Sequence, residues 1–152
     1  MARCPITLHV GLGTFAPVKT AQIENHQLHA EHYHLSQPAA DRINATLDAG
    51  LRVVAVGTTS VRVLETVASL HGGRMVPGHG TTRLFLHPPA KFHVVGALVT
   101  NFHLPKSSLL MLVSAFAAPG RLEGRPQVLG AYAEAVQHNY RFFSYGDAML
   151  LQ

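Results

Sequence analysis

The chain has 152 residues, which suffices for one domain with a core or for part of a larger domain. Hydrophobic residues make up 47% of it, which excludes a disordered chain, while charged residues make up only 13%, about half of the usual quarter. So few charges indicate a surface partly covered by further chain or by a partner subunit, and the net charge of +4 suits an anionic partner such as RNA.

The first predicted element is a strand at Ile6–Val10, where apolar residues alternate with polar ones. Glycines at Gly11–Thr14 predict a turn out of this strand. The stretch 21–35 is polar and rich in histidine.

A helix and a second strand follow. Ser36 is a typical N-cap, Pro38 is tolerated in the first turn, and Gly50 stands where a C′ glycine ends a helix. The continuous β-branched run Val53–Val56 predicts a strand that is buried on both faces.

The second half alternates strands with helices. This order predicts an α/β fold, in which a layered, mixed or mainly parallel sheet has helices on its flanks. The predicted elements are a helix at 61–70, strands at 84–86 and 94–100, a loop at 101–106, a helix capped by Ser107 or Ser108 and ending near Ala117, a linker at 119–126, a helix at 127–139 and a strand at Ala148–Leu151.

The junction between the strand at Val53–Val56 and the next helix suits an anion. Free backbone N–H groups and the helix dipole favour negative charge there. Three hydroxyls and one cation add donors, so the candidate binding residues are Gly57, Thr58, Thr59, Ser60 and Arg62. The alternative is a tight turn with an ordinary helix cap.

A histidine cluster at His26, His29, Glu31, His32 and His34 raises the question of a metal site. On a helix, His26 and His29 would share one face. The spacing does not match the His-Glu-x-x-His pattern of zinc hydrolases, and no cysteine pair accompanies it. The histidines equally suit phosphates, bases or a plain polar face, so we expect no metal.

The loop after the strand at 94–100 combines an amide, an imidazole and an ammonium in Asn101, His103 and Lys106. Lys106 precedes a helix N-terminus, where the dipole disfavours a cation unless an anion binds. This conflict is more typical of a functional loop than of a structural one.

The tail Tyr140–Asp147 groups four aromatic residues with an arginine and an aspartate. Aromatic rings stack on bases and arginine pairs with phosphate, so Arg141, Tyr145 and Asp147 are candidates for an RNA-facing site. The alternative is a segment that closes the core, with Arg141 and Asp147 paired. That alternative is favoured for Phe142 and Phe143.

Together these segments resemble the S-adenosylmethionine:tRNA ribosyltransferase-isomerases of queuosine biosynthesis. The resemblance runs over essentially the whole chain, in order and with similar spacing. It is carried by Leu8–Phe15, His26–Glu31, Val56–Arg62, Thr100–Ser107, Leu109–Phe116 and Tyr140–Met149. Members of that family are longer, with an upstream region and an inserted β-rich domain, so residues 1–152 are expected to be the carboxy-terminal part of the catalytic α/β domain.

The resemblance implies transfer of the ribosyl part of S-adenosylmethionine to 7-aminomethyl-7-deazaguanine in tRNA, giving epoxyqueuosine, with no metal. A base must remove a proton next to the sulfonium, and His103 or His29 is the candidate, with Asp147 as a third catalytic residue. The Gly57–Ser60 turn with Arg62 would hold a carboxylate or phosphate. The residues that would orient S-adenosylmethionine or the target nucleotide are Asn101, Lys106, Arg141, Tyr145 and Asp147.

Two other functions remain open: a non-catalytic RNA-binding module and a histidine-rich, metal-dependent hydrolase. Met1–Ile6 lacks the pattern of a signal peptide, and the lone Cys4 cannot form an intramolecular disulfide. The apolar run Leu109–Ala118 is about half the length of a membrane span. We therefore expect a cytoplasmic protein whose partners are tRNA and an amino-terminal segment or second subunit, with no membrane.

Overall fold

The computed structural model describes residues 2–11, 18, 23 and 26–152 of the chain. Strands and helices are interspersed along this part of the sequence, which makes the protein an α/β fold as predicted. The elements are β1 (Thr7–Leu8), β2 (Glu31–Leu35), α1 (Gln37–Asp48), β3 (Val53–Val56), α2 (Thr58–Leu70), β4 (Gly78–Thr82), β5 (Val95–Asn101), α3 (Ser108–Ala117), α4 (Gly124–Gln137) and β6 (Ala148–Leu151).

The strands form two small sheets rather than one. The first sheet has the order β1-β2-β4 and is antiparallel throughout. The second has the order β3-β5-β6, in which β3 is parallel to β5 and β5 is antiparallel to β6. The predicted mixed sheet is therefore the second one, and the antiparallel sheet was not foreseen.

Helix α2 is the central element of the core. It contacts β1 and β4 of the first sheet and β3 and β5 of the second. A helix that packs on several sides needs apolar residues around most of its circumference, and α2 has them. Its buried residues are Thr58, Val61, Arg62, Val63, Leu64, Glu65, Thr66, Val67 and Ala68.

Buried polar side chains fasten α2 to both sheets. The Glu65 carboxylate accepts hydrogen bonds from the backbone N–H groups of His93, Val94 and Val95 at 2.7, 3.1 and 2.9 Å. The Thr66 hydroxyl is 2.7 Å from that of Thr82 at the end of β4. Because a buried polar group is costly unless it is paired, these contacts fix the position of α2 between the sheets.

Strand β3 is buried on one face only, so the prediction of a strand buried on both faces is wrong. Ala55 is 1% exposed, whereas Val54 and Val56 are 38% and 69% exposed. Val99 and Leu150 are aligned with Val56 across the sheet, so apolar side chains form a row on the outer face of β3-β5-β6. A continuous apolar run does not reveal how many faces of a sheet are covered.

The first sheet contains two departures from the sequence prediction. Strand β2 lies in the histidine-rich stretch, and the predicted strand at 84–86 is not a strand. Instead β4 forms at Gly78–Thr82, although two glycines weaken strand propensity there. A Cβ on Gly80 would lie 2.5 Å from the Tyr33 hydroxyl, so a glycine at this position leaves room for the tyrosine ring. The pairing of β4 with β2 therefore outweighs the low strand propensity of glycine.

Helix starts are predicted well where a side chain caps them. Ser36 accepts a hydrogen bond from the Ala39 N–H, and Gly50 has φ 66°, which confirms the predicted limits of α1. Helix α2 begins at Thr58, earlier than predicted, because Gly57 serves as its N-cap without a side chain. Helix α4 likewise begins at Gly124, inside the predicted linker.

Helix α3 follows the loop after β5 and is capped as predicted. The Ser107 hydroxyl accepts a hydrogen bond from the Leu110 N–H at 3.2 Å. No helix within the described ranges is long and apolar enough to cross a membrane. The predicted turn at Gly11–Thr14 lies outside the described residues from position 12 onward.

Candidate functional site

Three segments with candidate site residues meet at one edge of the second sheet. The parallel strands β3 and β5 end side by side, and the Gly57 N–H donates to the Val99 carbonyl at 2.8 Å. Ala148, at the start of β6, pairs with Asn101 at the end of β5. The Gly57–Ser60 turn, the loop after Asn101 and the tail before Ala148 are therefore neighbours. Ligands of α/β sheets commonly bind at this kind of edge.

The Gly57–Ser60 turn presents the N-terminus of α2. Gly57 has φ 87° and supplies no side-chain cap to the helix. Thr58 is buried, and the Ser60 hydroxyl donates to the Val56 carbonyl at 2.8 Å. An anion at this turn would therefore bind mainly to backbone N–H groups and to the half-buried Thr59. The turn does not present a full set of free hydroxyls.

Arg62 points into the protein. It is 2% exposed and forms an ion pair with Glu31 of β2, which is also 2% exposed. Its Nε donates to the Leu84 carbonyl at 3.2 Å, and Glu31 also accepts from the Gly11 N–H at 2.8 Å. The structure thus places Arg62 between α2 and the first sheet, and not with the exposed part of the turn.

Asn101 and Lys106, at the two ends of the loop after β5, differ in their surroundings. The Asn101 side-chain amide donates to the Phe143 carbonyl at 2.8 Å, which joins the loop to the tail. Lys106 is exposed and has φ 60°, a conformation that is unfavourable for a residue with a side chain. It immediately precedes Ser107, the N-cap of α3.

His103 lies at the bottom of this loop and is 6% exposed. Its backbone N–H donates to the Tyr132 hydroxyl at 2.8 Å, and its Nε2 is 3.0 Å from the Thr100 hydroxyl. Burial lowers the pKa of His103 from 6.5 to about 4. The imidazole is therefore neutral at pH 7 and contacts Thr100 of β5, whereas the backbone of His103 is bonded to α4.

A cavity of about 110 Å³ opens beside His103. Sites for drug-sized ligands usually have about 300 Å³ or more, so this cavity suits one group of a larger ligand. The rest of such a ligand would contact residues outside this cavity. The cavity is lined by Asn101, Phe102, His103, Leu104, Ser107, Leu109, Phe143 and Ser144.

The aromatic residues of the tail divide into two groups. Phe142 stacks on Phe102 at a centroid distance of 4.8 Å and contacts Tyr132 edge-on, so it belongs to the core. Phe143 is 40% exposed with φ 63°, and Tyr145 is 74% exposed. The exposed rings are the ones free to stack on a ligand.

Arg141 and Asp147 form an ion pair on the surface. Arg141 Nε and Nη2 donate to the two Asp147 carboxylate oxygens at 3.0 and 3.1 Å. The hydrogen bond from the guanidinium lowers the pKa of Asp147 below its usual range, and the same contact raises the pKa of Arg141. Asp147 is therefore an ionised acceptor near neutral pH.

His29 lies apart from these segments, since it precedes β2 of the other sheet and its side chain is exposed. His26 packs edge-on against Phe85, and Glu31 pairs with Arg62, so the proposed metal ligands have different surroundings. Within the described ranges, no three His, Cys, Asp or Glu side chains are arranged to hold a metal ion. The described residues therefore give the hydrolase hypothesis no support.

Two residues that shape the site, Tyr132 and Glu65, were not singled out from the sequence, whereas Glu31 was considered only as a metal ligand. Tyr132 supports His103 from α4, and Glu31 and Glu65 anchor α2. A glutamate inside the apolar run of α2 signals a paired, buried carboxylate, and that signal was available for Glu65. The pairing of Tyr132 depends on the packing of distant segments, and no local pattern reveals it.

Comparisons with known proteins agree with the resemblance described above. The model of a family described as queuosine biosynthesis protein matches residues 1–151. The chain is also similar to the crystal structure of an S-adenosylmethionine tRNA ribosyltransferase from Thermotoga maritima, with 48% identity and a TM-score of 0.68. That match covers 80% of this chain and 41% of the other, so this chain spans less than half the length of that relative. The chain belongs to the queuosine biosynthesis protein family.

Proposed function

We propose that this protein takes part in transferring the ribosyl group of S-adenosylmethionine to 7-aminomethyl-7-deazaguanine in tRNA, which yields epoxyqueuosine. The observation that carries the proposal is the 48% identity, over 80% of this chain, to a protein described as an S-adenosylmethionine tRNA ribosyltransferase. Residues 1–152 would be the carboxy-terminal part of the catalytic α/β domain. The protein would act in the cytoplasm, where its partners would be tRNA and an amino-terminal segment or second subunit.

The sheet edge suits the charges of S-adenosylmethionine. Its methionine carboxylate would bind the N-terminus of α2 at Gly57–Ser60, since a side chain does not cap that helix end. Lys106 supplies an exposed cation at the neighbouring helix start. Asn101 would orient the ligand beside the small cavity. In this proposal Arg62 acts indirectly, by holding α2 in place through Glu31.

Proton transfer would involve His103 rather than His29. His103 lines the cavity at the sheet edge, whereas His29 is exposed near the other sheet. A pKa of about 4 keeps the imidazole of His103 in its base form at neutral pH. It also makes His103 a weak base, so it would serve best as a hydrogen-bonding partner, or as a base once the ligand's charges raise its pKa.

The tail would contribute to nucleotide binding. Tyr145 is exposed and would stack on a base, and Arg141 would pair with a phosphate while it stays in contact with Asp147. Asp147 would position Arg141 and not donate a proton, because it is ionised near neutral pH. Arg141 and Asp147 lie in the segment that leads into β6, whose first residue Ala148 pairs with Asn101.

Release of adenine from S-adenosylmethionine in the presence of tRNA carrying 7-aminomethyl-7-deazaguanine tests the proposal. The chain would be assayed alone and together with the remaining part of a longer family member. We expect tRNA-dependent adenine release in at least the second case, with a loss of about 100-fold or more in His103→Ala. A matched control is His138→Ala, since His138 is exposed at the C-cap of α4. Absence of adenine release in both cases would refute the transferase proposal.

A second candidate is a tRNA-binding module without catalysis. The observations that favour it are the exposed Arg141 and Tyr145 of the tail and the small size of the cavity, about 110 Å³. Calorimetric titration with S-adenosylmethionine distinguishes the two functions. Binding of S-adenosylmethionine that is lost in Lys106→Ala supports the enzyme, whereas tRNA binding without any S-adenosylmethionine binding supports the module.

A further inference from the structure

The outer face of the first sheet carries four histidines. His32 and His34 are separated by one residue in β2, so both point away from the buried side chains of Glu31, Tyr33 and Leu35. His79 of β4 is aligned with His34. The His9 N–H donates to the His32 carbonyl at 2.8 Å, which extends the β1–β2 pairing and places His9 opposite His32. We call His9, His32, His34 and His79 the histidine face.

The histidine face borders a groove large enough for a ligand. The groove has a volume of about 310 Å³, within the range of small-molecule and nucleotide sites. His9, His32 and His79 line it together with Tyr33, Gly80 and Thr81. At its side the rings of His34 and His79 stack at a centroid distance of 4.2 Å and an interplanar angle of 13°. The face therefore combines flat rings with N–H donors.

No acidic side chain of β1, β2 or β4 opposes a polyanion on this face. Among the residues of β1, β2 and β4, Glu31 is the only acidic one, and none is a lysine or an arginine. Its carboxylate points inward to Arg62, so it does not oppose an anion on the outer face. Imidazole N–H groups donate to phosphate oxygens, and histidine rings stack on unpaired bases.

We propose that the histidine face binds a single-stranded segment of tRNA, apart from the site at the β3–β5 edge. This inference rests on the proposed tRNA substrate and adds a second contact surface to it. A metal ion is a poorer fit, since no three potential ligands in the described part of the chain are arranged around one point. Bases stack on the exposed rings and phosphates accept hydrogen bonds from the imidazoles in the groove.

The test compares two double variants of the full chain by fluorescence anisotropy with labelled tRNA. His32→Gln/His79→Gln removes two groove histidines, and His71→Gln/His138→Gln removes two exposed histidines elsewhere. We expect the first variant to bind tRNA about tenfold more weakly and the second to bind like the parent. Equal affinities of the three proteins, or equal losses in both variants, overturn the proposal.

Chemical protection provides a readout that does not depend on how the variants fold. Diethyl pyrocarbonate modifies exposed imidazoles, and mass spectrometry locates the modified histidines in the parent chain. We expect tRNA to protect His9, His32 and His79 but not His71 or His138. Equal modification with and without tRNA overturns the proposal. If protection occurs while adenine release does not, the histidine face is retained and the transferase proposal fails.

Discussion

Helix α2 and the edge of the second sheet beside the tail Tyr140–Asp147 both contain polar residues that stand out in the sequence. The structure uses these residues in opposite ways. Arg62 and Glu65 of α2 are buried and bonded to neighbouring strands. Lys106, Arg141 and Tyr145 at the edge are exposed. The same residue types therefore stabilise the scaffold in one region and remain available to a ligand in the other, and burial is what separates the two roles.

Backbone geometry separates the regions in the same way. Helix α2 has regular conformation from Thr58 to Leu70, whereas Lys106 and Phe143 at the edge have φ 60° and 63°. Residues with side chains adopt such angles at a cost, which is commonly found where a loop is held for a ligand. His103 lies at the boundary, because it is buried like α2 but lines the cavity of the edge.

The largest expected effect comes from breaking the buried ion pair. Arg62→Met removes the guanidinium that pairs with the buried Glu31 carboxylate, so the free energy of unfolding should fall by about 3–5 kcal/mol. Urea unfolding followed by circular dichroism measures it. The double variant Arg62→Met/Glu31→Gln should recover much of the loss. An Arg62→Met protein as stable as the parent would contradict the scaffold role of this pair.

The next effect tests whether His103 belongs to the buried region. Its pKa is about 4 when folded and 6.5 when unfolded, so the unfolded chain binds more protons between these values. The free energy of unfolding should therefore decrease as the pH falls from 6.5 to 4, by about 3 kcal/mol in all. Unfolding curves across this range measure the slope.

The variant His103→Gln serves as the control for this slope, because glutamine does not titrate. It should lose the part of the pH dependence that comes from His103, while His71→Gln, at an exposed position, should retain it. The same slope in His103→Gln and in the parent would show that His103 is accessible to water and belongs to the exposed edge.

A smaller effect is expected where the two regions touch. Tyr132→Phe removes the hydroxyl that accepts the His103 N–H, so a buried donor loses its partner at a cost of about 1–3 kcal/mol. Tyr140→Phe is the matched control, because Tyr140 is 50% exposed. Thermal unfolding compares the two variants. If both lose the same stability, the Tyr132 hydroxyl does not support the site.

The smallest effect on stability is expected at the exposed pair. Arg141→Ala should leave the unfolding midpoint unchanged, because Arg141 and its contact with Asp147 lie at the surface. In contrast, affinity for tRNA should fall by about three- to tenfold at low salt and by less at high salt. Anisotropy titrations at two salt concentrations measure this. A large loss of stability would place the tail with the scaffold.

The sequence predicted those parts of the molecule that depend on local chemistry. The cap at Ser36, the glycine at Gly50 and the last strand at Ala148–Leu151 were found because each leaves a local pattern. Strand β4 escaped prediction because its two glycines weaken strand propensity, and the contact of Gly80 with the ring of Tyr33 depends on a distant strand. The inward direction of Arg62 also escaped, since it depends on Glu31 in a distant strand.

The Glu65 carboxylate, which holds three consecutive N–H groups at the entrance to β5, has a consequence for hydrogen exchange. Those amides cannot open one at a time while the carboxylate stays in place. Their exchange with deuterium should therefore be slow and should follow the global unfolding of the protein. Glu65 lies in α2, whose N-cap Gly57 donates a hydrogen bond to Val99 at the sheet edge. A substitution that weakens the hydrogen bonds of Glu65 should therefore also change the position of Gly57 at that edge.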